Sequence, residues 1–567
     1  MFLLKSSFLQ KCFEVADEGG KETVVANRKF INIVFILSGS VLSAVLGAAH
    51  GMRYMWIGMI LSCILYGALL FFKKDLIWDF KGKKTEWKTE TMVFVWTVSS
   101  VYLCVFSMAA HVKKAISPYL LEDTKDSLLY SVIAVLIIPY FYILYRKLAA
   151  KIKDNIPKIY RSFSEWERVF FWAHIVIMVL IILFIYQETS AFSYARFTDE
   201  NGVVRDQTAN AILNTDSSIL LKKSCNLAGM GDVRHPIWVM LQLPLASIAF
   251  ILSKFFPGFW LAYPAISCIL IDICLTFSII LLARLIENKW SIVIFGVSYP
   301  FLLYGLLFET SQIATCITLL AVYMICKGGE GEEDTSFFVA AASGYTLTSC
   351  VLALFVGRLR DGREYIKRII KCGLKFLSLC VLWGQSYLVF HLWDEGMKML
   401  STYGGVNYTL RQRLIAFSHS MAATFVSVPY QNYKESREQY HYFSYYLTIW
   451  GKEAKIHWLG CVVILLALFG FCLNYRKRFA RICFLWLVYH FVIFVVFGYS
   501  SGDYTVHVML YSWAVVSLVI MAVSHILDKM KIKNKSLVWG ILSALILCRN
   551  LEFLIEIYRY AVLRFPV

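Results

Sequence analysis

Asn214-Thr215-Asp216-Ser217-Ser218-Ile219-Leu220-Leu221, continuing to Asp232-Val233-Arg234-His235-Pro236-Ile237-Trp238-Val239-Met240, is a polar stretch set between apolar runs long enough to cross a bilayer. Ionisable groups are costly beside hydrocarbon, so carboxylates, an arginine and a histidine kept at such a boundary are functional candidates. How this stretch sits against its apolar neighbours decides both the fold class and the site.

Composition sets the frame for those neighbours. Of 567 residues, 59% are hydrophobic and 16% aromatic, and mean hydropathy is +0.62, well above the roughly 45–50% apolar content of soluble domains. The chain is therefore read as a membrane protein. Its net charge of +18 would suit a nucleic-acid binder, but Lys and Arg cluster in short loops between apolar runs, the pattern of cytoplasmic loops, so nucleic acid is excluded as a partner. Of the 15 cysteines, most lie inside apolar runs (Cys63, Cys104, Cys268, Cys274, Cys316 and Cys472), where they act as small core residues. No CxxC pair occurs, and Cys225 has no disulfide partner within its own loop.

Apolar runs near 30–50, 55–72, 91–110, 128–145, 169–187, 260–283, 290–308, 311–326, 374–392, 457–474, 482–499, 505–526 and 537–555 meet the length a spanning helix needs. Backbone in lipid must satisfy itself, so an all-α, polytopic fold of about 13–14 transmembrane helices is expected. Residues 1–29 read as a cytoplasmic lead-in, 30–165 as a four-helix N-terminal region and 166–567 as the main membrane core. Basic clusters at Lys73–Lys88, Arg146–Arg161 and Arg476–Arg481 assign one end of the bundle to the cytoplasm. Alternation then puts 188–259 and 393–456 outside, as two long loops carrying interfacial helices.

Two segments disturb the alternation. His235 to Phe256 is apolar but holds Pro236 and Pro244, and reads as an amphipathic helix in the outer interface. Residues 336–357 are flanked by basic-side sequence at both ends. A helix broken at Gly344-Tyr345-Thr346-Leu347-Thr348 and returning to its own side keeps the parity, because irregular backbone is tolerated where it is buried in protein.

The order of a span, a long outer loop holding Asp216, an Asp-x-Arg-His-Pro run, an interfacial helix and further spans resembles the GT-C superfamily of polytopic glycosyltransferases, over about residues 165–567. The resemblance implies a polyprenyl-phosphate-sugar donor, an acceptor glycan, lipid or protein of a bacterial cell envelope, and an active site in the first large outer loop. It matches Asp216 to the acidic position and Arg234-His235-Pro236 to the basic, His-Pro position that begins a juxtamembrane helix. The acid in that pattern lies close to the end of the first span, whereas Asp216 is nearly thirty residues beyond Gln187, so Glu188 is a rival for the base.

Residue chemistry agrees independently. A carboxylate, Asp216 or Asp232, can take the acceptor proton, and Arg234 offers a fork of donors to the departing phosphate, with His235 assisting. Asp216 also suits a helix N-cap, and Asp232 a local pair with Arg234. Glu309, Arg411, Arg413, Asp503 and His507 are further candidates for lining the outer cavity, with turn, solvated-loop and interfacial-belt roles as their plainer readings. Asp216 with another acid could hold a divalent ion, Mg or Mn, yet one or two carboxylates without spacing do not define a metal site. No P-loop, G-x-G-x-x-G after a strand, G-x-S-x-G or H-E-x-x-H is present. The alternatives are a transporter or flippase for lipid-linked saccharides, for which Asp272 is the clearest in-span ionisable residue, and a non-catalytic assembly partner docking through its first four helices.

Overall fold

The computed structural model describes residues 151–192, 194–198, 204–208, 235–253, 255–256, 259–307, 309–327, 332–356, 362–382, 394, 397, 409–427, 431–434, 441–444, 454–499 and 507–567, with 93, 96, 145, 148 and 149. Most of the first four expected spans, residues 383–392 of the expected span 374–392, and the candidates Asp216, Asp232, Arg234 and Asp503 lie outside the described residues. The chain divides into one unit of residues 1–155, 226–231 and 377–391 and a second of 156–225, 232–376 and 392–567. In the first, Trp96 packs edge-on against the buried Tyr145.

The second unit holds the elements that build the site. In order these are α1 (Glu165–Glu188), β1 (Tyr194–Thr198), β2 (Val204–Thr208), α2 (Trp238–Ser253), α3 (Phe259–Ile286), α4 (Ser291–Val297), α5 (Tyr299–Gly305), α6 (Thr310–Lys327), α7 (Glu332–Tyr345), a 3-10 helix (Leu347–Phe355) and α8 (Gly362–Leu382), of which 362–376 belong to this unit and 377–382 to the first. The series continues with α9 (Leu410–Ala422), β3 (Gln431–Lys434), β4 (His441–Ser444), α10 (Ala454–Asn474), α11 (Arg478–Phe491), α12 (Val508–Lys529) and α13 (Lys535–Arg564). A turn of π-helix, Val492–Val496, extends α11. Helix dominates, as expected. Two antiparallel hairpins, β1 with β2 and β3 with β4, are the additions, and both fall in the two long polar segments.

Six described helices are long and apolar enough to cross a membrane, over Glu165–Glu188, Ala262–Ile286, His457–Asn474, Arg478–Val496, Val508–Lys529 and Lys535–Leu563. Each coincides with an expected span. Their outward faces carry Trp172, Leu180, Leu465 and Leu545, all more than half exposed, which only a lipid-like solvent rewards. Close approaches between helices fall at glycines: a Cβ on Gly460 would lie 1.8 Å from the Ser418 carbonyl oxygen, and one on Gly470 2.0 Å from that of Leu518. Small residues that let backbones touch are the normal means of helix association in lipid.

At the basic end a fork joins α1 to α3. Ser164 caps α1 in a reciprocal capping box with Glu167, and Arg284 donates from Nε and Nη2 to the two Glu167 oxygens at 2.7 Å each. Its other donors reach Ser162 Oγ and O, and the guanidinium lies over Phe163. Lys477 pairs with Glu287 at the same end. At the opposite end the last turn of α13 meets the end of α1, where Thr189 Oγ1 donates to Phe565 O.

Three departures from uninterrupted spans shape the interior. The expected span 290–308 is two short helices meeting at Ser298, whose backbone is extended. Pro300 accounts for the break, because its ring would strike the carbonyl four residues back if the helix ran through. The freed groups are taken up across the bundle: Tyr299 N–H donates to Phe425 O at 3.0 Å. Asn550, 1% exposed in the middle of α13, donates to Val297 O and Phe425 O and accepts from Ser427 N–H.

The second departure corrects the outer loop 393–456. Within it, α9 runs from the exposed Leu410 to a fully buried Met421 and Ala422, so it penetrates the bundle instead of lying on its surface.

The third is the hairpin of α7 and the 3-10 helix. Its arms are about 21 Å and 18 Å long, they pack together, and the tip is Tyr345-Thr346. Arg478, in the basic cluster that opens α11, donates to Phe355 O at the foot of the returning arm.

The helix α2 departs from expectation in character. Its buried face, Trp238, Gln242, Ala246, Ala249 and Ser253, is opposed by exposed Ile251 and Leu252, so it has no polar face and is apolar all round. Its first turn meets the hairpin tip through Ile237.

Candidate functional site

The tip of the hairpin and the start of α2 meet through two backbone-level contacts. Ile237 N–H donates to Gly344 O at 2.8 Å, and His235 Nδ1 donates to Tyr345 O at 2.8 Å. A carbonyl can only accept, so Nδ1 holds the proton. Gly344 is required here: a Cβ would fall 2.4 Å from Ile237 Cγ1. The run His235-Pro236-Ile237 is thereby held against a buried turn that sequence reasoning placed more than a hundred residues away.

Around this junction lie buried donors. Tyr345 is fully buried and its hydroxyl donates to Gln242 Oε1 at 3.4 Å. Gln242 Nε2 and Trp238 Nε1 are buried and have no hydrogen-bond partner among the described residues. Trp238 and Gln242 are four apart, so they share one face at the start of α2, which His235 precedes. Unpaired buried donors each cost about 1–3 kcal/mol, so two retained on one helix face call for an explanation.

Glu309 opens α6. It is 3% exposed, its backbone N–H donates to Gln312 Oε1 at 2.8 Å, and Gln312 Nε2 turns back to Tyr304 O and Leu307 O. The turn role expected of Glu309 is thus present. Of the described candidates, His235 is the one that meets the hairpin tip.

The remaining candidates sit elsewhere. Glu188 is exposed at the end of α1, beside the buried Thr189–Phe565 contact. Arg411 is exposed on the first turn of α9. Arg413 donates to Val495 O and Val496 O at 3.1 Å each and packs against Gly498, whose φ of +68° a side chain would strain, so it caps the end of α11. His507 precedes α12 and stacks on Phe494 at 5.6 Å.

Sequence reasoning missed two polar groupings. On α1 and α3, His174 Nδ1 lies 2.9 Å from Thr276 Oγ1 and 3.9 Å from Asp272 Oδ2. Asp272 is 1% exposed, and neither carboxyl oxygen has a hydrogen-bond partner among the described residues. The broken helix packs glycines on both groups, Gly296 on His174 and Gly305 on Asp272. A histidine inside the apolar run 169–187 was the available signal. On α9 and α10, His419 and His457 stack at 3.8 Å, and Ser418 Oγ lies 3.1 Å from His457 Nδ1. Burial of His419, and then the neighbouring His457, push its imidazole down to about 4.

No group of three His, Cys, Asp or Glu side chains able to hold a metal ion occurs among the described residues. Compared with protein-family models, with curated proteins and with solved structures, the chain matches none.

Proposed function

We propose that the chain is a membrane glycosyltransferase that moves a sugar from a polyprenyl-phosphate-linked donor to an envelope glycan, lipid or protein acceptor. What supports the reading is the junction of α2 with the hairpin tip, where His235 bonds Tyr345 O and two unpartnered donors, Trp238 Nε1 and Gln242 Nε2, follow on the first turns of the helix. Such donors suit a lipid-borne phosphate arriving beside an apolar helix. Arg234, adjacent in sequence, would add a bidentate donor. A carboxylate from the loop, Asp216 or Asp232, or Glu188 as the rival, takes the acceptor hydroxyl's proton. The acceptor oxygen bonds to the anomeric carbon, and the bond to phosphate breaks with its electron pair leaving on the phosphate oxygen. Direct attack inverts the anomeric centre.

The test is transfer by the purified chain in proteoliposomes carrying a polyprenyl-phosphate sugar. Asp216→Asn should abolish transfer, and His235→Gln should reduce it by about 10²–10³, the scale of one lost transition-state donor, with insertion unchanged. Near-normal transfer by both variants would remove these residues from the mechanism.

A second reading, a transporter for lipid-linked saccharides, has its own observation. Asp272 and His174 lie mid-bundle beside a broken helix, an arrangement used at transporter sites. Flipping of a labelled lipid-linked sugar without transfer, lost in Asp272→Leu but kept in Asp216→Asn, would favour it.

A further inference from the structure

The helix α8 carries five basic residues between Arg363 and Lys375 against the single acid Glu364, which is itself paired with Lys367 at 2.6 Å. At about 100° per residue its side chains fall into three sectors. Cys372 and Phe376 are buried on one, the side on which the Tyr365 hydroxyl ties the helix to Leu354 O at 2.8 Å. Ile366, Ile370 and Leu374 form a second, at 58%, 54% and 59% exposure. Lys367 and Lys371, exposed, follow on the third, with the half-buried Arg368 and Lys375 at its far edge, while the exposed Arg363 stands at the N-terminal end of the apolar sector, about one turn before Ile366.

An apolar stripe this open is unfavourable in water, and a band of cations flanking it along three turns describes the membrane–water boundary, apolar side into the acyl region and basic side at the headgroups. The location agrees. Leu354 adjoins Phe355, which Arg478 of the basic cluster holds, so α8 begins at the basic end of the bundle, where the six spanning helices meet their polar loops.

We propose that α8 is an anionic-lipid-binding element, seating Ile366, Ile370 and Leu374 in the leaflet at the basic end and gathering phosphodiester headgroups along Arg363, Lys367 and Lys371. The partner is the anionic bilayer surface, because the three cations are strung along the helix axis over about 12 Å instead of converging on one point, a spacing that meets several headgroups and not one phosphate.

The experiment uses the full chain in mixed micelles offering equal amounts of phosphatidylglycerol and phosphatidylcholine with identical acyl chains. Lipid that co-elutes with the protein is quantified by mass spectrometry. Wild type should retain phosphatidylglycerol in several-fold excess, and the excess should fall as salt rises. The triple variant Arg363→Gln/Lys367→Gln/Lys371→Gln, all on exposed positions, should keep the wild-type melting temperature and bring that excess down to near parity, each basic residue near an anionic surface being worth up to about fivefold. Replacing Lys367 and Lys371 by Arg should preserve it. Equal retention of both lipids by wild type, undiminished enrichment in the triple variant, or displacement of the lipid by excess inorganic phosphate would each overturn the proposal.

Discussion

The junction between α2 and the hairpin tip makes a quantitative prediction at Gly344 and Ile237. Adding a methyl at Gly344 places a carbon 2.4 Å from Ile237 Cγ1 and 2.5 Å from Cδ1, but 3.6 Å from Cβ. Ordinary contact begins near 3.4 Å, so Gly344→Ala drives the two backbones apart by about 1 Å or forces Ile237 off its rotamer. Overpacking of this kind costs about 1–3 kcal/mol, offset by at most about 1 kcal/mol of gained helix propensity. A net loss of about 1–2 kcal/mol is expected.

Ile237→Ala alone opens a cavity and should cost about 2–5 kcal/mol. In Gly344→Ala/Ile237→Ala the offending Cγ1 and Cδ1 are gone and the nearest remaining atom is at an ordinary distance. The double variant should therefore be less destabilised than the sum of the singles by about 1–2 kcal/mol. The assay is reversible unfolding of the full chain in mixed anionic and neutral micelles, followed by tryptophan fluorescence. Additivity within about 0.5 kcal/mol, the behaviour of independent sites, would show that Gly344 and Ile237 do not touch and would refute the junction.

The stacked imidazoles make stability depend on acid: His419 held at about 4 against an unfolded value near 6.5 leaves stability intact above pH 6.5 and lowers it as pH falls toward 4. The loss is on the order of 3 kcal/mol. Melting temperatures across that window should fall in wild type and flatten in His419→Gln; parallel curves would remove the effect from His419. Gly470→Ala, which must displace the Leu518 carbonyl by about 1.4 Å, should lower the melting temperature, whereas Gly540→Ala, with open space around it, should hold or raise it. The reverse order would contradict the packing of α10 on α12. Asp272→Asn keeps the shape of an unpartnered buried carboxyl without its charge and should leave stability unchanged or higher; a loss above about 2 kcal/mol would reveal a bonding partner for the acid.

Read in sequence, the six apolar runs and their basic loops were legible because the bilayer imposes length, and asymmetric insertion imposes charge, each a local property of the chain. The break expected at Gly344–Thr348 was legible too, and the helix there ends at Tyr345 and gives way to a 3-10 helix. Glu309 was legible as a turn residue from its place between two spans.

Other features were decided only by tertiary structure. Nothing in residues 235–242 indicates that His235 and Ile237 bond to Gly344 and Tyr345, since hydrogen-bond partners a hundred residues apart leave no local periodicity. The break at Ser298 and the inward course of α9 likewise depend on Asn550, Phe425 and Tyr299 satisfying one another across three elements. A buried backbone group must find a partner, but composition does not say where that partner lies. The chain by itself thus determines a membrane character and six helices long and apolar enough to cross a bilayer; only packing decides which polar residues meet, because that depends on helix rotations and depths that hydropathy alone leaves open.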